Sequence, residues 1–212
     1  MTTKKQEKIK FSKAFWVANT VELFERAAYY GVFIVITLYL SRILGFNDIQ
    51  AASIAGIFSA CLYLLPTFAG ALADKIGFRK TVLGFAVLGV VVYALYPVYA
   101  GLGYAAAFAM AIFFNVGQIN AYFGPNVMLP LFGKNKSNVT ISWSSMIASA
   151  GAMLAPVVVK FAGSYNNFFI IGAVIYVIVL VLTIIATMPS SLQKIKDVDA
   201  KYVEAHGITE AE

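Results

Sequence analysis

Three ionisable residues fall within five consecutive positions of a long apolar stretch near the start of the chain: Glu22, Glu25 and Arg26. At about 100° per residue on a helix, Arg26 lies about 40° round from Glu22 and Glu25 about 60° the other way, with Asn19 and Tyr29 in the same sector. A charge at the centre of a hydrocarbon layer costs about 2.5 to 3.5 kcal/mol on insertion scales, so this face must turn toward a bundle interior or a water-filled cavity. Glu22 and Arg26 stand at i and i+4 with the acid first, the favoured order for an ion pair along a helix. Two acids sharing one guanidinium cannot both be compensated, so one carboxyl is left to take up a proton; coupled titration leaves open which. The expected roles are a proton relay at Glu22 and Glu25, with Arg26 as its switchable partner or as an anchor for a solute carboxylate. The plainer alternative is a buried network that only fixes helix packing, a task neutral residues perform at lower cost.

Such residues need elements that cross a bilayer. The composition, 60% hydrophobic and 12% charged, departs far from that of a globular domain in water. A hydrocarbon core of about 30 Å takes about 20 apolar residues as helix, and six stretches reach that length: Ala14–Leu40, Ala51–Ala73, Thr81–Ala100, Tyr104–Leu131, Val139–Ala162 and Phe168–Met188. The connectors carry turn and breaker residues, among them Gly45, Gly77, Gly101, Gly103, Gly133 and Gly163. The expected fold is an all-α membrane protein: a basic start at 1–13, a six-helix transmembrane bundle at 14–188, and a polar tail or linker at 189–212. Leu192, Ile195, Val198 and Tyr202 recur in that tail at helical spacing, as in a short helix resting on the membrane surface. A basic start could serve a secretory leader, but the apolar run that follows is too long and carries charge at its centre, so it reads as a retained first span.

Counting Lys and Arg by alternating side puts thirteen of the sixteen on one face, against Arg42 and Lys160 on the other and Arg26 inside a span. The excess marks the cytoplasmic side and sets both termini there, in the cell's inner membrane. The sequon Asn138-Val-Thr140 then faces the cytoplasm and is not a glycosylation site. With most of the positive charge in the segments between and flanking the spans, the net +6 gives no reason to expect nucleic acid as a partner. Cys61 lies in an apolar run and His206 in the tail, so neither a disulfide framework nor metal-ligand spacing is available. No nucleophile with its base is visible either, so neither an enzyme nor a metal site is expected; protons are the only coupling ion.

The stretch Glu22-Leu-Phe-Glu25-Arg26-Ala-Ala-Tyr29-Tyr30-Gly31 resembles the ExxERFxYYG motif of the proton-dependent oligopeptide transporter family, departing where Ala27 replaces the phenylalanine. Gly70-Ala-Leu-Ala-Asp74-Lys75-Ile-Gly77-Phe-Arg79-Lys80 resembles that family's version of the major facilitator signature GxxxDxxGxRR, between the second and third spans. The resemblance implies that Gly70, Asp74, Gly77, Arg79 and Lys80 form a cytoplasmic gate closing against the other half of a transporter. Physically, Asp74 sits at the C-terminal end of a helix, the wrong end for an anion, so it calls for Arg79, Lys80 or another helix's N-terminus; the bland alternative is an ordinary charged turn. Peptide carriers of the family have a lysine in a KPN element in the fourth span, where this chain has Gly124-Pro125-Asn126. Peptide specificity and the usual coupling scheme both come into question at that departure.

Asn115, Gln118, Tyr122 and Asn126 still line up within about 80° at helical spacing. Together with Asn19, Tyr29 and Tyr30 they are the expected substrate-binding residues, although amide side chains also serve as packing glue. In the fifth span, Ala150-Gly151-Ala-Met-Leu-Ala155-Pro156 is a small-residue stretch for close helix approach. Ser142, Ser145 and Ser149 are candidates to line a cavity, and Trp143 reads as an interfacial anchor. The sixth span has no charge and reads as lipid-facing scaffold. The expected function is proton-coupled symport of a small polar solute, such as a short peptide or amino acid derivative, by the N-terminal half of a carrier. Its partners are the bilayer, the solute, and a missing C-terminal six-helix half or a second copy. The alternative is a non-transporting scaffold or assembly factor that keeps the carrier fold; saturable stabilisation by small solutes separates the two.

Overall fold

In the computed structural model the described residues are 13–117 and 137–190, together with Gln193 and Asp197. They form six α-helices and no strand: α1 (Lys13–Arg42), α2 (Asp48–Ile76), α3 (Phe78–Ala100), α4 (Tyr104–Gly117), α5 (Ser137–Ala162) and α6 (Tyr165–Ala186). All but α4 are long and apolar enough to cross a membrane, and α4 contributes a shorter apolar stretch, Tyr104–Phe114. The remainder of the expected fourth span, with Gln118, Tyr122, Gly124, Pro125 and Asn126, lies outside the described residues, as do residues 1–12 and most of the tail.

The helices outrun the apolar stretches at several ends, because hydropathy marks contact with hydrocarbon whereas capping decides where a helix starts. Asn47 caps α2, which starts at Asp48, three residues before the expected span start at Ala51, through a capping box in which Asn47 and Gln50 satisfy each other's backbone N–H. Ser164 caps α6 by accepting from the Asn167 N–H. A single residue, Gly77, separates α2 from α3, and its φ of 95° is a conformation that side-chain-bearing residues adopt only at a cost.

The bundle is organised around α1, which packs most extensively on α5 and then on α6, while α3 lies against α6 and α4, and α2 against α4. Aromatic rings fill the space between them. Tyr93 meets Phe114 at 4.7 Å and Tyr96 meets Phe169 at 4.8 Å between centroids, so α3, α4 and α6 interlock through offset and edge-on rings. The sixth helix is therefore more than lipid-facing scaffold. Phe168, Phe169, Gly172, Tyr176, Val179 and Thr183 form a buried stripe at helical spacing, while Ile170, Val174, Val177 and Val181 face outward. Both faces are apolar, which hides the stripe from sequence periodicity.

Candidate functional site

All of the α1 residues expected on one face do turn inward: Asn19, Glu22, Glu25, Arg26 and Tyr29 are buried. Tyr30 is partly exposed and stands edge-on to Tyr29. The arginine makes a different pair from the one its spacing suggests. Arg26 Nε donates to Glu25 Oε2 at 2.6 Å and Nη2 to Oε1 at 3.0 Å, a bidentate pair between adjacent residues. Neighbours on a helix point about 100° apart, so the i, i+4 rule alone favours Glu22. Enclosure reverses that preference. Glu25 is fully buried whereas Glu22 keeps 8% exposure, and the carboxylate with less access to water has the greater need of a mate.

The surplus acid is thus Glu22, whose Oε2 is buried with no hydrogen-bond partner among the described residues. Arg26 is held on a second side by Tyr29, with Cζ 5.2 Å from the ring centroid, within cation–π range. Tyr29 in turn stacks on Phe58 of α2 at 5.1 Å and an interplanar angle of 12°. Directly against α1 lies the buried Gly151 of α5: a Cβ there would come within 2.5 Å of the Leu23 carbonyl oxygen and 2.9 Å of Arg26 Cβ. The small-residue stretch of the fifth span therefore does what its composition suggests and lets α5 close directly on the backbone that carries the charged cluster.

Tyr176 of α6 comes close to the Glu25 carboxylate, although its hydroxyl falls short of a hydrogen bond of normal geometry. Nothing in the sequence singled it out. The available signal is that a lone tyrosine interrupts a Val/Ile-rich run four residues after Gly172.

The remaining candidates lie apart from this cluster. Asn115 is in the last turn of α4, and Gln118, Tyr122 and Asn126 fall outside the described residues. Asp74, Gly77, Arg79 and Lys80 are exposed at the α2–α3 junction, and Gly70, one turn earlier, has open space about it. Among the described residues no ion pair joins Asp74 to Arg79 or Lys80. Ser142, Ser145 and Ser149 are exposed on α5. Trp143 meets Trp16 of α1 edge-on at 5.8 Å, near the start of each helix.

Ionisable residues enclosed by membrane-length helices mark a functional site rather than a packing detail. The sequence profile of the Major Facilitator Superfamily matches residues 20–206. The chain belongs to the Major Facilitator Superfamily. It is a multi-pass membrane protein of a transporter superfamily, and it resembles the N-terminal half of the proton-dependent oligopeptide transporters. The chain is similar to dipeptide and tripeptide permease A of Pectobacterium carotovorum, 31% identical over 115 residues, covering 54% of this chain and 22% of the relative. Dipeptide and tripeptide permease A of Erwinia pyrifoliae is 34% identical over 108 residues, covering 50% and 21%. That of Escherichia coli is 33% identical over 84 residues, covering 39% and 17%. The chain thus matches about a fifth of the length of these curated relatives.

Proposed function

We propose that this chain is the N-terminal six-span half of a proton-coupled symporter for a small polar solute, a short peptide or amino acid derivative. The observation that carries the reading is the imbalance on α1: one guanidinium, one carboxylate matched to it in full, and a second buried carboxylate left over. In this reading a solute carboxylate competes with Glu25 for the Arg26 fork, because planar bidentate recognition suits either partner. Release of Arg26 leaves Glu25 without its mate, and a proton taken up by Glu25 or Glu22 removes the uncompensated charge from the bundle. The return of Arg26 to Glu25 expels the solute and the proton together. Peptides are the favoured solute class because the similar proteins are named as dipeptide and tripeptide permeases.

Gly124 stands where the resembled peptide carriers have a lysine, so proton handling is assigned to α1 alone. Asn19, Tyr29, Tyr30 and the polar line Asn115, Gln118, Tyr122 and Asn126 are the proposed solute wall, and the exposed Gly70–Lys80 region the cytoplasmic gate. The excess of Lys and Arg on one set of loops supports cytoplasmic termini in the inner membrane. A C-terminal six-helix half or a second copy completes the cavity. The test is uptake into proteoliposomes under an imposed pH gradient: Glu22→Gln and Glu25→Gln are each expected to abolish gradient-driven accumulation. Intact accumulation in both variants overturns the reading.

A further inference from the structure

Behind the Glu25–Arg26 pair, α3 and α6 meet through two interleaved tyrosines. Tyr93 of α3 and Tyr176 of α6 stack at 4.9 Å with an interplanar angle of 29°, both wholly buried. Each ring occupies the space that a Cβ would need on a glycine of the other helix: Tyr176 sits over Gly89, and Tyr93 over Gly172. The same Gly-x-x-x-Tyr spacing therefore occurs on both helices, at Gly89 and Tyr93 and at Gly172 and Tyr176. Close packing on both faces leaves neither ring room to slide.

What this stack fixes in place is the Tyr176 hydroxyl, which faces the Glu25 carboxylate. The hydroxyl is buried and makes no hydrogen bond among the described residues, a condition that native structures seldom leave unexplained. Both oxygens of the carboxylate it faces are engaged by Arg26. Resting on the coupling reading above, we propose that Tyr176 is the positioning residue of this site. When Arg26 is drawn away from Glu25, the Tyr176 O–H donates to the freed carboxyl oxygen and holds Glu25 in place until Arg26 returns. Among the described residues, the groups facing Glu25 are Arg26 and Glu22 on α1 and Tyr176 on α6, with Tyr93 of α3 behind it. Lys160 of α5 and Asp48, Asp74 and Lys75 of α2 are exposed near the ends of their helices.

Tyr176→Phe keeps the ring and the stack and removes only the donor. In the whole carrier in membranes, acid-induced infrared difference spectra carry a protonated Glu25 C=O band, assigned by its loss in Glu25→Gln. Tyr176→Phe is expected to move that band to higher frequency, the signature of a carboxyl that has lost a hydrogen bond. In proteoliposomes the same variant is expected to lower gradient-driven dialanine uptake about tenfold, the rate effect of one lost charge-assisted hydrogen bond. Counterflow exchange, which needs no net proton movement, is expected to stay unchanged. An unmoved band, or an equal loss of uptake and counterflow, overturns the role of Tyr176. If Glu25→Gln blocks driven uptake while Tyr176→Phe does not, Tyr176 alone is dismissed; if Glu25→Gln and Glu22→Gln both retain it, the coupling reading falls as well.

Discussion

Arg26 is held between a carboxylate in front and, at its flank, an aromatic ring three residues on, and the carboxylate is not the one its helical spacing favours. Breaking one side of a buried ion pair costs more than removing both, because the survivor keeps its charge without compensation. Arg26→Gln is accordingly expected to lower stability by about 3 kcal/mol or more, and the double variant Glu25→Gln/Arg26→Gln to recover part of that loss. Thermal unfolding of the purified protein in detergent measures both. An undiminished loss in the double variant argues that Arg26 is held by something other than Glu25. The inward face and the surplus acid were legible in the sequence, since both follow from helix periodicity and the cost of charge in hydrocarbon. The choice of partner was not legible, because the local i, i+4 preference competes with how deeply each carboxylate is enclosed, and only the packing of α3 and α6 decides that. Tyr176 escaped for a related reason: a helix apolar on both faces gives no sign of which side is inside.

At the scale of elements, the crossing of α5 over α1 depends on one missing side chain. A Cβ at Gly151 meets the Leu23 carbonyl oxygen at 2.5 Å, closer than atoms can pack, so the two helices must part to admit it. Gly151→Ala is expected to cost about 1–3 kcal/mol, in the range of overpacked cores. Gly84→Ala, with nothing within 4 Å of its notional Cβ, is expected to stay within about 0.5 kcal/mol of the parent. Thermal unfolding midpoints of the two variants provide the comparison, and equal behaviour contradicts the close approach. Five of the six expected spans appear as membrane-length helices, because about twenty apolar residues leave few alternatives. Sequence reading placed several ends short, as at Asp48 and Tyr165, because polar caps extend a helix past its hydrocarbon contact. The motif residues around Asp74 and Arg79 stood out only by their resemblance to a known signature, and they are exposed at the α2–α3 junction.

At the scale of the whole molecule, the account requires the α2–α3 link to lie in the cytoplasm and the α3–α4 link outside. With Cys61→Ser as background, a membrane-impermeant maleimide applied to intact cells is expected to label Leu102→Cys and to reach Lys75→Cys only after permeabilisation. The reverse pattern inverts the topology. The central claim is that the acids of α1 tie solute movement to proton movement, and it is tested most directly by following external pH in a weakly buffered suspension of proteoliposomes when dialanine is added. The account predicts alkalinisation outside that keeps pace with solute entry and disappears in Glu22→Gln/Glu25→Gln. Solute entry with no accompanying proton uptake, or undiminished proton uptake in the double variant, contradicts it.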